Sequence, residues 1–210
     1  MIRILLVDDH AVVRAGFRRF LERNDLVRVV AEGEDTEQGY SLFRQHQPDV
    51  CIIDLSMPGV GGLELIRRIA AQNSLTRVLA FSMHEEAAFA ERAMQAGACG
   101  YVTKQSAPEV LVDAVHAVHA GRRFLSPDIA QQLAIGKGGF HPVTVLSAKE
   151  FEVFRLIAEG QSVAHVASTL NLSQKTIANH QTQVKEKLGA ATSTALVHIA
   201  LRHGVIALAR

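Results

Sequence analysis

Five polar side chains follow directly on short aliphatic runs, and together they could carry phosphoryl chemistry. Asp8 and Asp9 come after ILLV, Asp54 after VCII, Ser82 after VLAF and Lys104 after YVT. Two unit charges about 4 Å apart near a protein surface repel by roughly 4 kcal/mol at an effective dielectric near 20, so back-to-back acids at a strand end need a reason. If the runs are parallel neighbours in one sheet, their carboxyl ends share an edge, where open α/β sheets bind ligands. Three carboxylates in one crevice call for a cation. A hard divalent ion such as Mg²⁺, held by a few carboxylates and waters, is the natural neutraliser, and Lys104 adds a second positive charge. A carboxylate flanked by metal, ammonium and hydroxyl suits a phosphoryl acceptor, because the cations offset the incoming charge. Singly, each residue has a plain reading: an acid after a strand is commonly a helix cap, and an isolated lysine is solvated. The combination at four strand ends carries the functional reading.

The elements that must position these groups are legible as alternating patterns. Candidate strands are Ile2–Val7, Val27–Glu32, Val50–Ile53, Val78–Phe81 and Tyr101–Val102, several of them continuous aliphatic stretches, as parallel strands buried on both faces should be. Between them lie helical patterns. Val13, Phe17, Phe20 and Leu21 share one helix face, as do Leu111, Val115 and Val118, and Pro108 with Glu109 suits a first turn. Five such βα units imply a doubly wound parallel sheet.

The rest of the chain departs from this rhythm. In residues 121–145, SPDIAQQL could form a short helix with Ser126 as N-cap and Pro127 at its first position, and GKGGFHP reads as a flexible linker. From Leu146 the pattern is all helical. Ser147 and Glu150 form a capping-box signature, Gly160 stops that helix, and Ser162 and Ser173 cap the next two on either side of the turn NLS. A fourth helix runs from about Ser193 to Arg202. The third helix carries Lys175, Asn179, Thr182, Gln183 and Lys185 on non-core positions, as a helix entering the DNA major groove would. A small helical protein-interaction domain fits the same spacing.

Charge and composition narrow the classes. Residues 1–120 hold 12 Lys+Arg against 16 Asp+Glu, a net of −4, and residues 121–210 hold 10 against 5, a net of +5. A basic back half hints at nucleic acid. No apolar run approaches a membrane span, and the short apolar start runs into acids, unlike a signal peptide, so no membrane partner is expected. Cys51 and Cys99 sit among apolar or small residues and are expected as reduced thiols in a cytoplasmic protein.

Over about residues 1–120, LLVDDH, PDVCIIDLSMPGVGGLE, VLAFSMH and AGACGYVTK resemble the receiver domain of two-component response regulators, which implies a flavodoxin-like (βα)5 fold. The resemblance implies that Asp54 accepts a phosphoryl group from a sensor histidine kinase. It implies that Asp8, Asp9 and Asp54, with the backbone carbonyl of Ser56, hold Mg²⁺, and that Ser82 and Lys104 meet the phosphoryl group. Tyr101 matches the aromatic switch residue, and Ser56 and His84 match positions that tune dephosphorylation. Gln105 stands where many receivers have Pro.

Residues 146–206 are similar to the LuxR-type domain of the NarL/FixJ response regulators, a small four-helix helix-turn-helix fold. The recognition helix would span roughly Gln174–Leu188, with Ala178, Asn179 and Thr182 facing the groove and Lys175, Lys185 and Lys187 meeting phosphates; His180 would pack rather than read bases. The family usually has Lys at 178 and Arg at 193, here Ala178 and Ser193. Losing a cation at each position should weaken backbone attraction. The implied organisation is a receiver over 1–120, a linker over 121–145 and a DNA-binding domain over 146–210. The implied function is a transcription regulator, not an enzyme, that homodimerises on phosphorylation and binds double-stranded promoter DNA, with partners that could extend to RNA polymerase. Phosphatases of the haloacid dehalogenase type are the rival enzyme class. Their nucleophile follows the first strand in a D-x-D pattern, whereas here the first strand ends in Asp-Asp and the lone acid ends the third.

Overall fold

In a computed structural model of the chain, residues 1–23, 25–57, 61–72, 75–135 and 142–206 are described, the Val143 side chain excepted. By contacts the chain divides into two compact units, Met1–Lys137 and Gly138–Arg210. The stretch read as a flexible linker, residues 136–142, lies outside the described residues but for Pro142.

The first unit is a parallel sheet wound on both faces. Its strands are β1 (Ile2–Val7), β2 (Val27–Gly33), β3 (Val50–Asp54), β4 (Arg77–Ser82), β5 (Gly100–Thr103) and a two-residue β6 (Phe124–Leu125), in the spatial order β2-β1-β3-β4-β5-β6. All pairings are parallel. The five predicted strands are all present, each within a residue or two of its expected bounds. β6 has no sequence counterpart, because two residues are too few to show a period.

Side-chain alternation sorts the core into two layers. Ile4, Leu6, Ile52 and Phe81 face one side, where Leu21 of α1 (Ala11–Leu21) and Leu111, Val115 and Val118 of α5 (Pro108–His119) meet them. On the other face Val7 packs against Gly39 of α2 (Thr36–His46) and Leu65 of α3 (Gly61–Gln72), so closely that a Cβ on Gly39 would lie 2.9 Å from Leu65 Cδ2. The Asp35 carboxylate caps α2 by accepting from the Gln38 N–H at 2.8 Å. α4 (Ala87–Ala96) follows β4, and α6 (Pro127–Ala134) follows β6 at the sheet edge. Ser126 stands at the predicted N-cap of α6, but its hydroxyl makes no capping bond and is buried without a hydrogen-bond partner among the described residues.

The second unit is helical: α7 (Pro142–Val145), α8 (Ala148–Ala158), α9 (Val163–Thr169), α10 (Gln174–Leu188) and α11 (Ser193–Arg202). The predicted caps form. Ser162 accepts from the His165 N–H and Ser173 from the Thr176 N–H, and Asn171 in the NLS turn adopts a left-handed φ of 51°. At the start of α8 the capping box closes in both directions, with the Ser147 N–H donating to Glu150 Oε2 at 2.7 Å and the Glu150 N–H donating to Ser147 Oγ at 3.3 Å.

Glu150 does more than cap. Lys187 Nζ of α10 lies 2.8 Å from Glu150 Oε2, joining α10 to the start of α8. Burial alone would raise the Glu150 pKa, but the bonds from Lys187 and Ser147 outweigh it and hold the carboxyl at about 2. Because the folded value lies below the unfolded one, near 4.5, this stabilisation is full above pH 4.5 and is lost as pH falls towards about 2. Glu150→Gln is therefore expected to destabilise α8 and α10 by about 1–2 kcal/mol at neutral pH and to remove the loss across that acid window. Amide exchange in the two helices as a function of pH checks both. Among the described residues, no helix is long and apolar enough to cross a membrane.

Candidate functional site

Parallel pairing brings the carboxyl ends of β1, β3, β4 and β5 to one edge, because Val7 pairs with Ile53, Asp54 with Phe81, and Ser82 with Thr103. Asp8, Asp54 and Lys104 meet there. Lys104 Nζ lies 2.5 Å from Asp8 Oδ2 and 2.8 Å from Asp54 Oδ2, and both acidic residues are 1% exposed. Burial raises the Asp54 pKa, and the Lys104 ammonium offsets this only in part, so the carboxyl is held above the usual carboxylate range. For Lys104 the balance runs the other way. Burial lowers its pKa, but the Asp54 charge and the bonds to Asp54 and Asp8 outweigh it, and the ammonium is held above its ordinary value. A buried cation bridging two buried anions gives each a partner, and removing Lys104 would leave two buried anions with none.

The remaining predicted pocket residues surround this trio. The Ser56 N–H donates to Asp54 Oδ1 at 2.9 Å, fixing the carboxylate plane. Asp9 is half-buried. Its buried Oδ1 makes no hydrogen bond among the described residues and faces His10 Nδ1 at 2.8 Å. Ligand atoms of Asp8, Asp9, His10 and Asp54 all fall within 4.8 Å of one another. Three carboxylates with an unsatisfied buried oxygen among them form a hard, oxygen-rich donor set, which fits a Mg²⁺-sized ion. His10 was missed by the sequence reading as a member of this cluster. It is 64% exposed on its side chain, and nothing but its adjacency to the two acids signals it.

Ser82 ends β4, and Tyr101 lies in the adjoining β5. Both are fully buried. The His84 N–H donates to Ser82 Oγ at 3.2 Å, and the Tyr101 hydroxyl donates to the His84 carbonyl at 2.7 Å. Burial pushes the Tyr101 phenol above its ordinary pKa, so it is a neutral donor throughout the physiological range. The His84 ring stacks on Phe89 of α4 with centroids 3.8 Å apart.

In the helical unit, α10 presents one polar face. Lys175, Ala178, Asn179, Thr182 and Gln183 are exposed and Lys185 is half-buried, while Ile177, Val184 and Leu188 are buried. The Thr182 hydroxyl donates to the Ala178 carbonyl at 3.1 Å. Gln181 Nε2 donates to Ser193 Oγ at 3.3 Å, tying α10 to α11. Lys187, expected to meet a phosphate, has its ammonium engaged by Glu150. His180 is half-buried with Nδ1 unbonded among the described residues.

Comparison with known proteins agrees with both halves. A family profile described as the response regulator receiver domain matches residues 4–116, and one described as bacterial regulatory proteins, luxR family, matches residues 144–200. The chain is similar to the response regulator UvrY of Escherichia coli (strain K12), at 38% identity over 209 residues, 98% of this chain and 96% of the relative. It is 37% identical to the response regulator GacA of Pseudomonas viridiflava over 210 residues, 98% of each. Among solved structures it is similar to RcsB from Salmonella enterica serovar Typhimurium bound to promoter P1flhDC in the presence of phosphomimetic BeF3-, with TM-score 0.77, 32% identity, and 96% of this chain and 98% of that one covered.

Proposed function

The chain belongs to the NarL/FixJ-family response regulators, which join a receiver domain to a LuxR-type DNA-binding domain and regulate transcription, and from that footing we propose that phosphorylation of Asp54 controls its dimerisation and its binding to promoter DNA. The observation that carries this reading is the Asp8–Lys104–Asp54 trio at the edge where Ser82 also ends its strand. The family consists of transcription regulators, not enzymes, and the haloacid dehalogenase alternative falls with it.

Asp54 acts as the nucleophile. One of its carboxylate oxygens attacks the phosphorus of a kinase phosphohistidine, a P–O bond forms as the P–N bond breaks, and the imidazole leaves. The Ser56 N–H and the Lys104 ammonium hold the Asp54 carboxylate in one orientation for that attack. Asp8, Asp9, Asp54 and the Ser56 carbonyl would hold Mg²⁺, which supplies charge neutralisation for the phosphoryl oxygens when bound. Lys104, already between Asp8 and Asp54, neutralises part of the added charge, and Ser82 donates its hydroxyl to a phosphoryl oxygen. Tyr101 reports the state of Ser82 through their shared partner, His84. Phosphorylation then biases a pre-existing receiver equilibrium towards dimers, and two DNA-binding units reach adjacent half-sites. A sensor histidine kinase is the proposed donor and the cytoplasm, where promoter DNA lies, the proposed location. Domain limits of 1–120 and 146–210 remain our reading, with 121–145 between them.

The test is DNA affinity and oligomeric state of the full chain with and without beryllofluoride and Mg²⁺. Tighter promoter binding together with dimer formation on addition supports the switch. Strong binding indifferent to both additives counts against it.

On α10, we assign base contact to Ala178, Asn179, Thr182 and Gln183 and phosphate contact to Lys175 and Lys185, supported by their exposure. Lys187 joins them only if it leaves Glu150. Ala178→Lys restores a cation on the exposed face and is expected to tighten DNA binding and to steepen the dependence of log K on log salt by about 0.9. A salt titration of the variant beside wild type checks this. An unchanged slope would mean that position 178 does not face DNA.

A further inference from the structure

Residues 124–134 lie between the two matched profiles and are covered by neither. They are nevertheless tied to β5 and to the loop after β4 at three points. The Ser126 N–H donates to the Tyr101 carbonyl at 2.9 Å, extending the pairing of β6 with β5. Asp128 Oδ2 accepts from the Thr103 hydroxyl at 3.2 Å, one residue before Lys104. Gln132, one turn further along α6, clamps the loop between β4 and α4. Its Nε2 donates to the Glu85 carbonyl at 2.7 Å and its Oε1 accepts from the Ala87 N–H at 3.2 Å. Ile129, on the turn between them, is fully buried.

α4 needs this contact. Glu86 occupies its N-cap position and makes no side-chain capping bond, so the acceptor for the first N–H of the helix comes from another element, Gln132. The same loop is gripped from within, because the His84 N–H and carbonyl are bonded to Ser82 and Tyr101. Residues 84–87 are thus held on one side by the hydroxyl that would meet the phosphoryl group and on the other by α6.

We propose that Gln132 is a positioning residue for the phosphoryl pocket, holding the loop where Ser82 and Tyr101 both bond to His84, so that occupancy of Asp54 and docking of α6 are coupled. The proposal rests on Asp54 being the phosphoryl acceptor. Ser82 accepts the His84 N–H through a lone pair, so its own proton can turn from the Tyr101 hydroxyl to a phosphoryl oxygen without breaking that bond, and the present loop arrangement is compatible with an occupied pocket. Whatever stabilises Ser82 there stabilises the loop, and linked equilibria are reciprocal. Phosphoryl binding and α6 docking strengthen each other by the same factor.

The experiment uses the full chain with Mg²⁺ and beryllofluoride as the phosphoryl stand-in. Fluorine NMR gives its affinity, and amide exchange reports on residues 83–87 and 126–134. In the wild type, bound beryllofluoride is expected to slow exchange in both segments. Gln132→Leu, similar in size and without polar atoms, is expected to bind beryllofluoride about five-fold more weakly and to lose the protection of 126–134. Gln132→Glu keeps an acceptor for the Ala87 N–H and cannot donate to Glu85, so it should fall between the two. The coupling is overturned if bound beryllofluoride protects 83–87 in the wild type and leaves 126–134 unchanged or faster, a result that needs no variant to fold. It is equally overturned if Gln132→Leu binds and responds as wild type does. Absence of any bound fluorine signal in the wild type would overturn the Asp54 reading as well, which separates the two failures.

Discussion

Asp54→Asn is expected to abolish the response of DNA binding and oligomeric state to beryllofluoride and Mg²⁺ while leaving the chain folded and more stable at neutral pH. The loss of response follows from chemistry, since an amide is neither a phosphoryl acceptor nor an anionic metal ligand. The gain in stability follows from burial. Burial holds the Asp54 carboxyl above its ordinary pKa despite Lys104. A raised folded pKa means that the ionised form is disfavoured in the folded chain. The penalty is absent below the unfolded value near 4, grows as pH rises through the folded value, and is complete above it. Asn carries no charge to desolvate, and its single oxygen can still accept from Lys104 or from the Ser56 N–H, though not from both where the two Asp54 oxygens now do. Thermal unfolding of both forms between pH 4 and 8 checks the sign: the variant should melt higher at pH 8, with the difference shrinking towards pH 4. A variant that melts lower at pH 8 would show that the ion pair with Lys104 outweighs the burial of Asp54.

Gly62→Ala is expected to carry a larger stability cost than a methyl at any other described glycine of the receiver. A Cβ at position 62 would lie 2.0 Å from the Asp54 carbonyl oxygen and 2.8 Å from Leu55 Cα. Both neighbours are backbone, and neither can rotate away. The Gly62 N–H also points at this strand end, donating to the Leu55 carbonyl at 3.4 Å. The start of α3 is therefore pressed directly against the residue that would be phosphorylated. Relief must come from shifting the helix or the Asp54 backbone, which is expected to destabilise by about 3 kcal/mol or more and to weaken beryllofluoride binding even where the chain still folds. Urea unfolding and fluorine NMR measure the two effects. Gly16 of α1 is the control: a Cβ there meets nothing within 4 Å, so Gly16→Ala should stabilise by up to about 1 kcal/mol through helix propensity alone. A cost below about 1 kcal/mol at position 62 would mean that α3 slides freely over β3.

Local pattern decides most of the architecture. Continuous aliphatic runs marked β1 to β5, and their polar terminal residues marked the reactive edge, because strand burial and side-chain period are properties of a few neighbouring residues. The caps at Ser147, Ser162 and Ser173 were legible for the same reason: a cap satisfies N–H groups two or three residues away. His10 and Gly62 carry no comparable local signal. A histidine beside two acids has many uses, and a glycine in a Gly-rich stretch does not reveal that a backbone carbonyl will occupy the space of its missing side chain.

The elements, the residues at their ends and the family to which those residues point are all legible from neighbouring residues along the chain. The tertiary structure alone decided which of them bond. Lys104 divides itself between Asp8 and Asp54, 96 and 50 positions away, Lys187 turns to Glu150 rather than outward alone, and Gln132 caps a helix 45 residues earlier. Such pairings have no local signature. Each arises from the spatial meeting of groups whose separation along the chain is unrelated to their distance in the fold, and where burial is deep, as for Asp8, Asp54 and Lys104, it makes the pairing obligatory, because a buried charge without its partner costs more than the bond itself contributes.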